Sequence, residues 1–293
     1  MTRPDGFGTL WIVGPGRLGL ALGSQLAFTG KVDTLIFVGK SALAPPHPIF
    51  ATHSACYVGA GEVPDPLPDV ILVTVPDDSI EGAADWIGGL SLPPGTVLHT
   101  SGAHGKEVLQ RLAFQGWSTG SIHPLVAIPE PIASAKKLRG AWYGIEGTPE
   151  AVGVAEAIVA ALEGRGLRVQ AGEKAAYHAA AVFGSNYVVT LLEVALRLAN
   201  GAGVDPDDGL AALVSLARGA LDDVARLGPR EALTGPVARG DVDTVALHLA
   251  RLSEGERTLY SVLAREAVEI ARRRGLPQAA VSRLGATLDT SGS

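Results

Sequence analysis

Three glycines near the start of the chain restrict its possible folds more than any other feature. They have the spacing G-x-G-x-x-G in VGPGRLGLALG, which supplies Gly14, Gly16 and Gly19 between an apolar run, TLWIV, and a segment with helical periodicity. In a strand–turn–helix unit the first glycine allows a tight turn and the second lets a diphosphate approach the backbone. The third lets helix and strand pack closely, and the helix N-terminus favours an anion. The spacing therefore predicts a dinucleotide-binding turn.

The end of the second predicted strand indicates which dinucleotide binds. An NAD site usually has Asp or Glu about 20 residues after the glycines, whereas this chain has IFVGKS, with Gly39, Lys40 and Ser41 and no carboxylate. A cation and a hydroxyl suit a 2′-phosphate, and Arg17 in the glycine loop adds a second positive charge. The alternative is that Lys40 is a solvated loop lysine. We interpret the pattern as favouring NADP over NAD.

Predicted strands and helices alternate as far as Gly172, which indicates a doubly wound sheet. Helices then dominate: one from about Lys174 to Asn200, one opening at Asp205 with Pro206 in its first turn, and one opening at a capping box of Ser253 and Glu256. The predicted fold class is α/β, with a C-terminal all-helical domain. We place the Rossmann-type domain at residues 1–172 and the helical domain at residues 173–293.

Composition excludes several classes of protein. Hydrophobic residues make up 47% of the chain and charged residues 18%, which excludes a disordered chain. The net charge of −6 argues against nucleic acid as a partner, and the single cysteine excludes an intrachain disulfide or a thiolate metal cluster. No His, Asp or Glu spacing resembles a metal-ligand set. With Pro4 and Asp5 near the N-terminus and no continuous apolar span, we expect a soluble cytoplasmic protein without signal peptide or membrane segment.

Three further motifs end predicted strands at the same rim of the sheet: TVPDDSI, HTSGAHG and SIHPL. Ligands in open α/β sheets bind outside the carboxyl ends of the strands. His99 and His123 each have a structural alternative, as a polar strand-end residue and as a strand cap. The predicted cofactor-binding residues are Gly14, Pro15, Gly16, Arg17, Leu18, Gly19, Gly39, Lys40, Ser41, Val75, Pro76, Asp77, Ser101 and Gly102.

A polar stripe runs along the first predicted helix of the second domain. At about 100° per residue, Lys174, His178 and Ser185 share one face, Asn186 flanks it, and Ala181 leaves room for a ligand. Reduction of a C=O or C=N bond requires a proton donor and orienting groups. We predict His178 or Lys174 as the donor, with Ser185 and Asn186 orienting the substrate at the seam between the domains. The alternative is that these side chains only hold helix contacts.

A second polar cluster, LTGPVARGD, lies between two predicted helices. Arg239 is suited to bind a substrate carboxylate through two parallel hydrogen bonds, and Thr234 lies in the same loop. Equally, an Arg239–Asp241 pair would only stabilise the turn, with Asp241 capping the helix that contains His248. Both interpretations stay open at the level of sequence.

Four motifs in combination, HTSGA, GSIHPL, YHAAAVFGSNY and LTGPVARGDVDTVALHL, resemble bacterial proteins that pair a Rossmann-like domain with the domain of unknown function 2520. The resemblance covers about residues 8 to 270. It implies an NADP-dependent oxidoreductase related to pyrroline-5-carboxylate reductase, ketopantoate reductase and 6-phosphogluconate dehydrogenase-like enzymes. The helical segment is similar to that of pyrroline-5-carboxylate reductases, which implies a homodimer through that domain.

The resemblance also bears on individual residues. SIHPL looks like a stretch of prephenate dehydrogenases in which the histidine lies near a carboxylated substrate, and this implies such a role for His123. A lysine on a helix is similar to the proton-transfer lysine of hydroxyacid dehydrogenases and ketopantoate reductases, which implies that role for Lys174. The predicted catalytic residues are Lys174, His178, Ser185, Asn186 and His123; the predicted substrate-binding residues are Ser101, His123, Asn186, Thr234 and Arg239.

Together these features predict an enzyme that transfers hydride between NADP and a small, carboxylated oxo, imino or hydroxy compound. A non-catalytic NADP-binding sensor or scaffold is the alternative from a different class. A prephenate-type dehydrogenase is a third interpretation, supported by SIHPL alone.

Overall fold

The computed structural model of the protein describes residues 6–51, 55–59 and 61–289. The chain divides into two compact units, Met1–Gly184 and Ser185–Ser293. The first unit contains the sheet and the second is helical, so the predicted fold class is confirmed. The unit boundary follows Gly184, whereas the sequence prediction placed it at Gly172. The helix that begins at Lys174 groups with the sheet because its side chains pack against sheet residues, as described below.

The first unit is built on an eight-stranded sheet with the order β3-β2-β1-β4-β5-β6-β7-β8. Neighbouring strands are parallel except for β6 and β7, which are antiparallel. The predicted strands are present, and the structure adds the short edge strand β3, which the sequence analysis missed because it has only 3 residues. The strands are β1 Gly8–Val13, β2 Val32–Val38, β3 Cys56–Val58, β4 Val70–Val73, β5 Thr96–His99, β6 Ser118–Pro124, β7 Trp142–Gly147 and β8 Arg165–Arg168.

Helices cover both faces of the central strands. On β1, Leu10 and Ile12 pack into a core on one face, while Trp11 and Val13 pack into a second core on the other. Burial on both faces explains why these strands are continuously apolar rather than alternating. The helices of this unit are α1 Arg17–Ala27, α2 Ile80–Gly89, α3 Gln110–Phe114, α4 Pro149–Ala161 and α5 Lys174–Gly184.

The second unit contains six helices among its described residues. Asp205 caps α7 by accepting hydrogen bonds from the N–H groups of Asp207 and Asp208, and Ser253 forms the predicted capping box with Glu256. Helices α8 to α11 enclose a small core around Val245, while α6 and α7 expose many large apolar side chains. The helices are α6 Asn186–Gly201, α7 Pro206–Ala232, α8 Gly235–Arg239, α9 Val242–Leu249, α10 Glu254–Arg273 and α11 Gln278–Asp289.

The prediction of one continuous helix from Lys174 to Asn200 is wrong. Ser185 has φ −132° and ψ −70°, which are not helical values, so α5 ends at Gly184 and α6 begins at Asn186. Glycine followed by serine does not favour continuation of a helix. Glycine loses more backbone entropy in a helix than other residues, and the serine hydroxyl competes for backbone hydrogen bonds. The predicted polar stripe therefore does not exist as one helical face. Lys174 and His178 share α5, whereas Ser185 and Asn186 lie at and beyond the break.

The same segment bears on the expectation that the chain has no membrane span. By length and composition alone, Lys174–Gly201 qualifies as a candidate span, with a mean hydropathy of 1.6 in its most apolar window. One such segment is weak evidence, because core helices of water-soluble proteins meet the same criteria. The break at Ser185 divides this segment into two helices.

Candidate active site

The glycine turn has the geometry that a diphosphate site needs. Gly14 has φ +101°, a left-handed conformation that favours glycine, and a Cβ there would lie 2.9 Å from the backbone nitrogen of Val75. A Cβ on Gly19 would overlap the carbonyl oxygen of Gly14, which shows how closely α1 approaches the turn. By contrast, a Cβ on Gly16 would meet nothing within 4 Å. The two outer glycines are therefore required by the fold, and the middle one borders open space at the N-terminus of α1.

Two clefts open beside this turn, with volumes of about 760 Å³ and 530 Å³. Gly14, Pro15, Gly39, Lys40, Val75 and Pro76 line both of them. The larger cleft extends to Trp86 on α2, and the smaller one is also lined by Ser41 and Tyr57. The end of β2 thus meets the glycine turn at one continuous surface, and the cofactor roles of these residues stay predictions.

Two predicted cofactor residues of the loop have contacts elsewhere. The Arg17 guanidinium donates to the carbonyl oxygen of Pro129 at 3.3 Å while the residue stays exposed. Leu18 packs against the core on the α1 face of the sheet. At the end of β2, the Tyr57 hydroxyl donates to the carbonyl oxygen of Ser41 at 2.7 Å, which fixes the backbone beside the exposed Lys40.

Ser101 organises the turn that follows β5. Its hydroxyl donates to the Asp77 carboxylate at 2.9 Å and accepts the N–H groups of Ala103 and His104, each at 3.1 Å. A hydroxyl has one donor and two acceptor sites, so these three bonds use its full capacity. The side chains of Ser101 and Asp77 therefore hold the rim of the sheet in shape. Within this motif, Gly102 is the residue that lies against side chains from other segments.

An outer polar layer lies at the rim, formed by Gly102, His123, Gly144, Tyr177 and His178. A Cβ on Gly102 would overlap Nδ1 of His178, and a Cβ on Gly144 would overlap the Tyr177 hydroxyl. The Tyr177 hydroxyl lies 3.1 Å from Nδ1 of His123, and the rings of His123 and His178 are 5.5 Å apart. Two glycines thus admit the side chains of α5 directly onto the sheet, and the structure brings together the predicted residues His123, His178 and Gly102.

Burial sets the protonation of this layer. It lowers the pKa of His123 to about 4 and raises the pKa of Tyr177 to about 12. At neutral pH the imidazole of His123 is therefore uncharged and the phenol of Tyr177 keeps its proton. Nδ1 of His178 is buried without a hydrogen-bond partner. Such unmet polar atoms in a native structure mark candidate functional positions.

An inner polar layer lies one step deeper, formed by His99, Ser121, Glu146 and Lys174, all buried. Strand pairing places His99 beside Ser121 and Ser121 beside Glu146. Lys174 is 2% exposed, its Nζ lies 5.3 Å from the centre of the Tyr177 ring, and this Nζ has no hydrogen-bond partner. Burial lowers the pKa of Lys174 to about 8, against an opposing influence of Glu146.

His99 has a structural part in this layer. Its Nε2 donates to the carbonyl oxygen of Gly105 at 2.9 Å, and its Nδ1 accepts the N–H of Ser101 at 3.2 Å. Both ring nitrogens are thus used, in the neutral tautomer, and burial lowers the pKa of His99 to about 4. This arrangement matches the structural alternative for His99.

Sequence reasoning missed Tyr177, Ser121 and Glu146. Tyr177 is three residues after Lys174 on α5, a spacing that places two side chains on one helix face. Glu146 is the single acidic residue in the apolar strand β7, WYGIEG, and an isolated carboxylate in a buried strand is a usable signal. Ser121 gave no such signal, because its importance comes from the neighbours that strand pairing provides.

The remaining predicted site residues belong to the second unit. Ser185 is the non-helical residue before α6, and the carbonyl oxygen of Asn186 accepts the hydroxyl of Thr190 at 3.2 Å. Thr234 precedes α8 without a side-chain cap bond. Arg239 is exposed and lies 3.9 Å from the Asp241 carboxylate, and Asp241 accepts the N–H of Thr244 at 3.1 Å as the cap of α9. The structure thus contains the turn-stabilising pair that was one of the two alternatives.

The sheet order, the glycine turn and the helical second unit define the class of this protein: an α/β protein with a Rossmann-type nucleotide-binding domain and a C-terminal helical unit. Residues 141–267 match the family model described as Domain of unknown function (DUF2520). This match confirms the predicted resemblance to that family. No curated protein matches the chain.

Solved structures with the same fold include nicotinamide-dependent enzymes. Protein TM1727 from Thermotoga maritima is 24% identical with a TM-score of 0.71, over 90% of this chain and 99% of that one. The pyrroline carboxylate reductase of Plasmodium falciparum with NADP bound is 15% identical with a TM-score of 0.60, over 97% and 98%. The reductive aminase of Aspergillus terreus in complex with NADPH is 17% identical with a TM-score of 0.54, over 97% and 93%. The chain thus shares its fold with these NADP-bound and NADPH-bound enzymes.

Proposed function

We propose that the protein is an NADP-dependent oxidoreductase that acts on a small, carboxylated oxo, imino or hydroxy compound. The observation that carries the proposal is Lys174. It is buried, its ammonium group has no hydrogen-bond partner, and it belongs to the same unit as the glycine turn. A buried cation without hydrogen bonds costs free energy, and proteins commonly retain such groups where they take part in chemistry.

The residues present fit a dinucleotide. The open space at Gly16 and the N-terminus of α1 suit its diphosphate, and the clefts lined by Val75, Pro76 and Trp86 suit its flat and apolar parts. Lys40 and Ser41 would meet the 2′-phosphate that distinguishes NADP from NAD. When bound, the cofactor supplies or accepts the hydride of the reaction. Arg17, exposed at the start of α1, adds positive charge near the same turn.

Lys174 would transfer the proton that accompanies the hydride. A donor with a pKa near 8 is mostly protonated at neutral pH yet releases its proton readily, and this balance makes an effective general acid. His178 is the alternative donor. His123 and Tyr177, which contact each other, would orient the reacting group by hydrogen bonds, because the phenol keeps its proton and the imidazole stays neutral.

The substrate contacts and the assembly are further parts of the proposal. The predicted roles of Ser185, Asn186, Thr234 and Arg239 toward the substrate stay predictions. A homodimer through the helical unit would cover the exposed apolar side chains of α6 and α7, such as Val189, Leu216 and Leu221. We also infer a cytoplasmic location, in keeping with a small-molecule substrate and a reduced nucleotide.

The test measures NADPH oxidation by the purified chain with a panel of oxo and imino acids, and NADP reduction with hydroxy acids and prephenate. Once a substrate is found, Lys174→Met should lower turnover at least about 100-fold, because general acid catalysis contributes on that scale. Affinity for NADPH should be unchanged. Lys137→Met, which removes an exposed lysine, is the matched control and should retain full turnover.

The outcomes separate the candidate functions. If His178→Gln abolishes turnover while Lys174→Met does not, the proton donor is His178. If NADPH binds tightly but no panel member is reduced or oxidised, the result favours a non-catalytic NADP-binding sensor or scaffold. Failure to bind either NADPH or NADH would contradict the proposal as a whole.

A further inference from the structure

The inner polar layer contains two buried side chains of opposite charge. Within the part of the chain that the structure describes, Glu146 and Lys174 are the only buried residues with a formally charged side chain at neutral pH. Glu146 is 4% exposed on β7, and Lys174 is 2% exposed on α5. Burial of a charged side chain without a compensating partner is costly, so the presence of two such side chains in one small region requires an explanation.

The packing of α5 on the sheet brings the two residues into the same polar layer. Tyr177 lies against Gly144 and contacts His123. His123 on β6 is paired with Gly144 on β7. Lys174 is three residues before Tyr177 on the same face of α5. Glu146 is two residues after Gly144 on the same face of β7. Tyr177 lies over the pair His123 and Gly144. Lys174 therefore lies toward the next pair of the same two strands, which is one step deeper in the sheet.

That deeper pair is Ser121 and Glu146. The Ser121 hydroxyl is fully buried and has no hydrogen-bond partner, as is also true of the Lys174 ammonium group. Because neither group has a hydrogen-bond partner, the two do not form a hydrogen bond with each other. The inner polar layer thus contains two donor groups without hydrogen-bond partners and one carboxylate.

Glu146 is held in place by groups other than Lys174. One carboxylate oxygen accepts the backbone N–H of Lys106 at 2.7 Å, and the other lies 3.6 Å from the Lys106 ammonium group, which is 40% exposed. These contacts hold the carboxylate in position before anything binds, which is the condition for an electrostatically preorganised site.

The other charged groups that face Lys174 are less effective. Asp77 from the turn after β4 and Glu107 from the turn after β5 both favour its charged form, but both are exposed and screened by water. His99 and His123 face it from β5 and β6 and are neutral at pH 7, as argued above. Glu146 is thus the buried anion with the largest influence on Lys174.

We propose that Glu146 is a positioning residue whose fixed carboxylate keeps Lys174 protonated beneath the outer polar layer. The inference rests on the proposed function, since the charge matters to catalysis only if Lys174 donates a proton. Without Glu146, burial would favour the uncharged amine, and a general acid would reach the substrate without its proton. Ser121, which is paired with Glu146 across β6 and β7, contributes a buried hydroxyl to the same layer.

The test uses the full chain labelled with ¹³C at the lysine Cε, whose chemical shift reports protonation without any need for a substrate. The chain has six lysines, so Lys174→Met assigns the signal. In Glu146→Gln the titration midpoint of Lys174 should fall by about one pH unit. Glu107→Gln, the exposed matched control, should move it much less, and Glu146→Asp should restore part of the shift.

A folded Glu146→Gln protein with an unchanged Lys174 midpoint would overturn the inference. If that variant does not fold, Lys106→Met gives the complementary measurement. Removing a competing cation beside Glu146 should raise the Lys174 midpoint, and an unchanged or lower midpoint would count against the proposal. A shift in midpoint together with normal turnover in Lys174→Met would contradict the proton-donor role while leaving the pairing with Glu146 intact.

Discussion

The glycine turn and the inner polar layer belong to the same sheet but are built by opposite means. The turn has almost no side chains and offers backbone N–H groups and open space at Gly16. The inner layer consists of buried side chains, two of which, Lys174 and Ser121, have polar atoms without partners. The turn costs little free energy of folding, because it buries no charged side chain. The layer costs free energy that the rest of the structure must offset. The proposed cofactor site and the proposed catalytic layer thus place different demands on stability.

The largest effect is expected from a charge placed in the turn. Gly16→Asp should weaken NADPH binding at least about 30-fold, because two charges at about 8 Å with an effective dielectric near 20 repel by roughly 2 kcal/mol. The melting temperature should not fall, since Gly16 is the N-cap of α1, where Asp is favoured. Titration calorimetry and thermal melts measure the two quantities separately.

Gly16→Asn is the matched control, with nearly the same shape and no charge. It should retain more affinity than Gly16→Asp. If both variants bind NADPH as tightly as the wild type, the diphosphate does not lie at this turn. The glycine turn would then have no binding role to compare with the inner polar layer.

The difference between the regions explains what the sequence could predict. Gly14, Gly16 and Gly19 are close in sequence, and their spacing maps directly onto one strand–turn–helix unit. The capping of α7 by Asp205 and of α10 by Ser253 was predictable for the same reason. In each case the physical cause acts over a few residues, so the sequence contains the whole argument.

The polar layers depend on partners from distant segments. Ser121 and Glu146 become neighbours only because β7 turns back against β6, an antiparallel pairing that the alternation of strands and helices did not indicate. Similarly, α5 was predicted to continue past Ser185, which placed the polar residues on one helical face that the structure does not contain. The structure brings the predicted residues His178 and His123 together, but the glycines that admit His178 and Tyr177, Gly102 and Gly144, act through contact across the sheet.

A smaller effect is expected at the end of β2. Lys40→Glu should reduce the preference for NADPH over NADH about tenfold, because an exposed cation is replaced by an anion beside the predicted 2′-phosphate. The measurement is the ratio of dissociation constants for the two nucleotides at low and at physiological salt. Lys40→Gln should give about half of the change on a logarithmic scale. An unchanged ratio in both variants would mean that Lys40 is a solvated loop lysine, as the alternative interpretation holds.

The smallest effect concerns the cost of the inner layer itself. Because the folded pKa of Lys174 is about 8 and its usual value is 10.5, the unfolded chain binds this proton more tightly. Burial of Lys174 therefore lowers stability most below pH 8, and the penalty disappears as pH rises toward 10.5. Lys174→Met, which keeps the apolar stem, should raise the melting temperature at pH 7 by about 2–4 °C for each kcal/mol regained. The gain should shrink as the pH of the calorimetric scan is raised through this range.

A variant that melts lower than the wild type at every pH would show that Lys174 stabilises the fold, and a group that stabilises the fold needs no catalytic role to account for its burial.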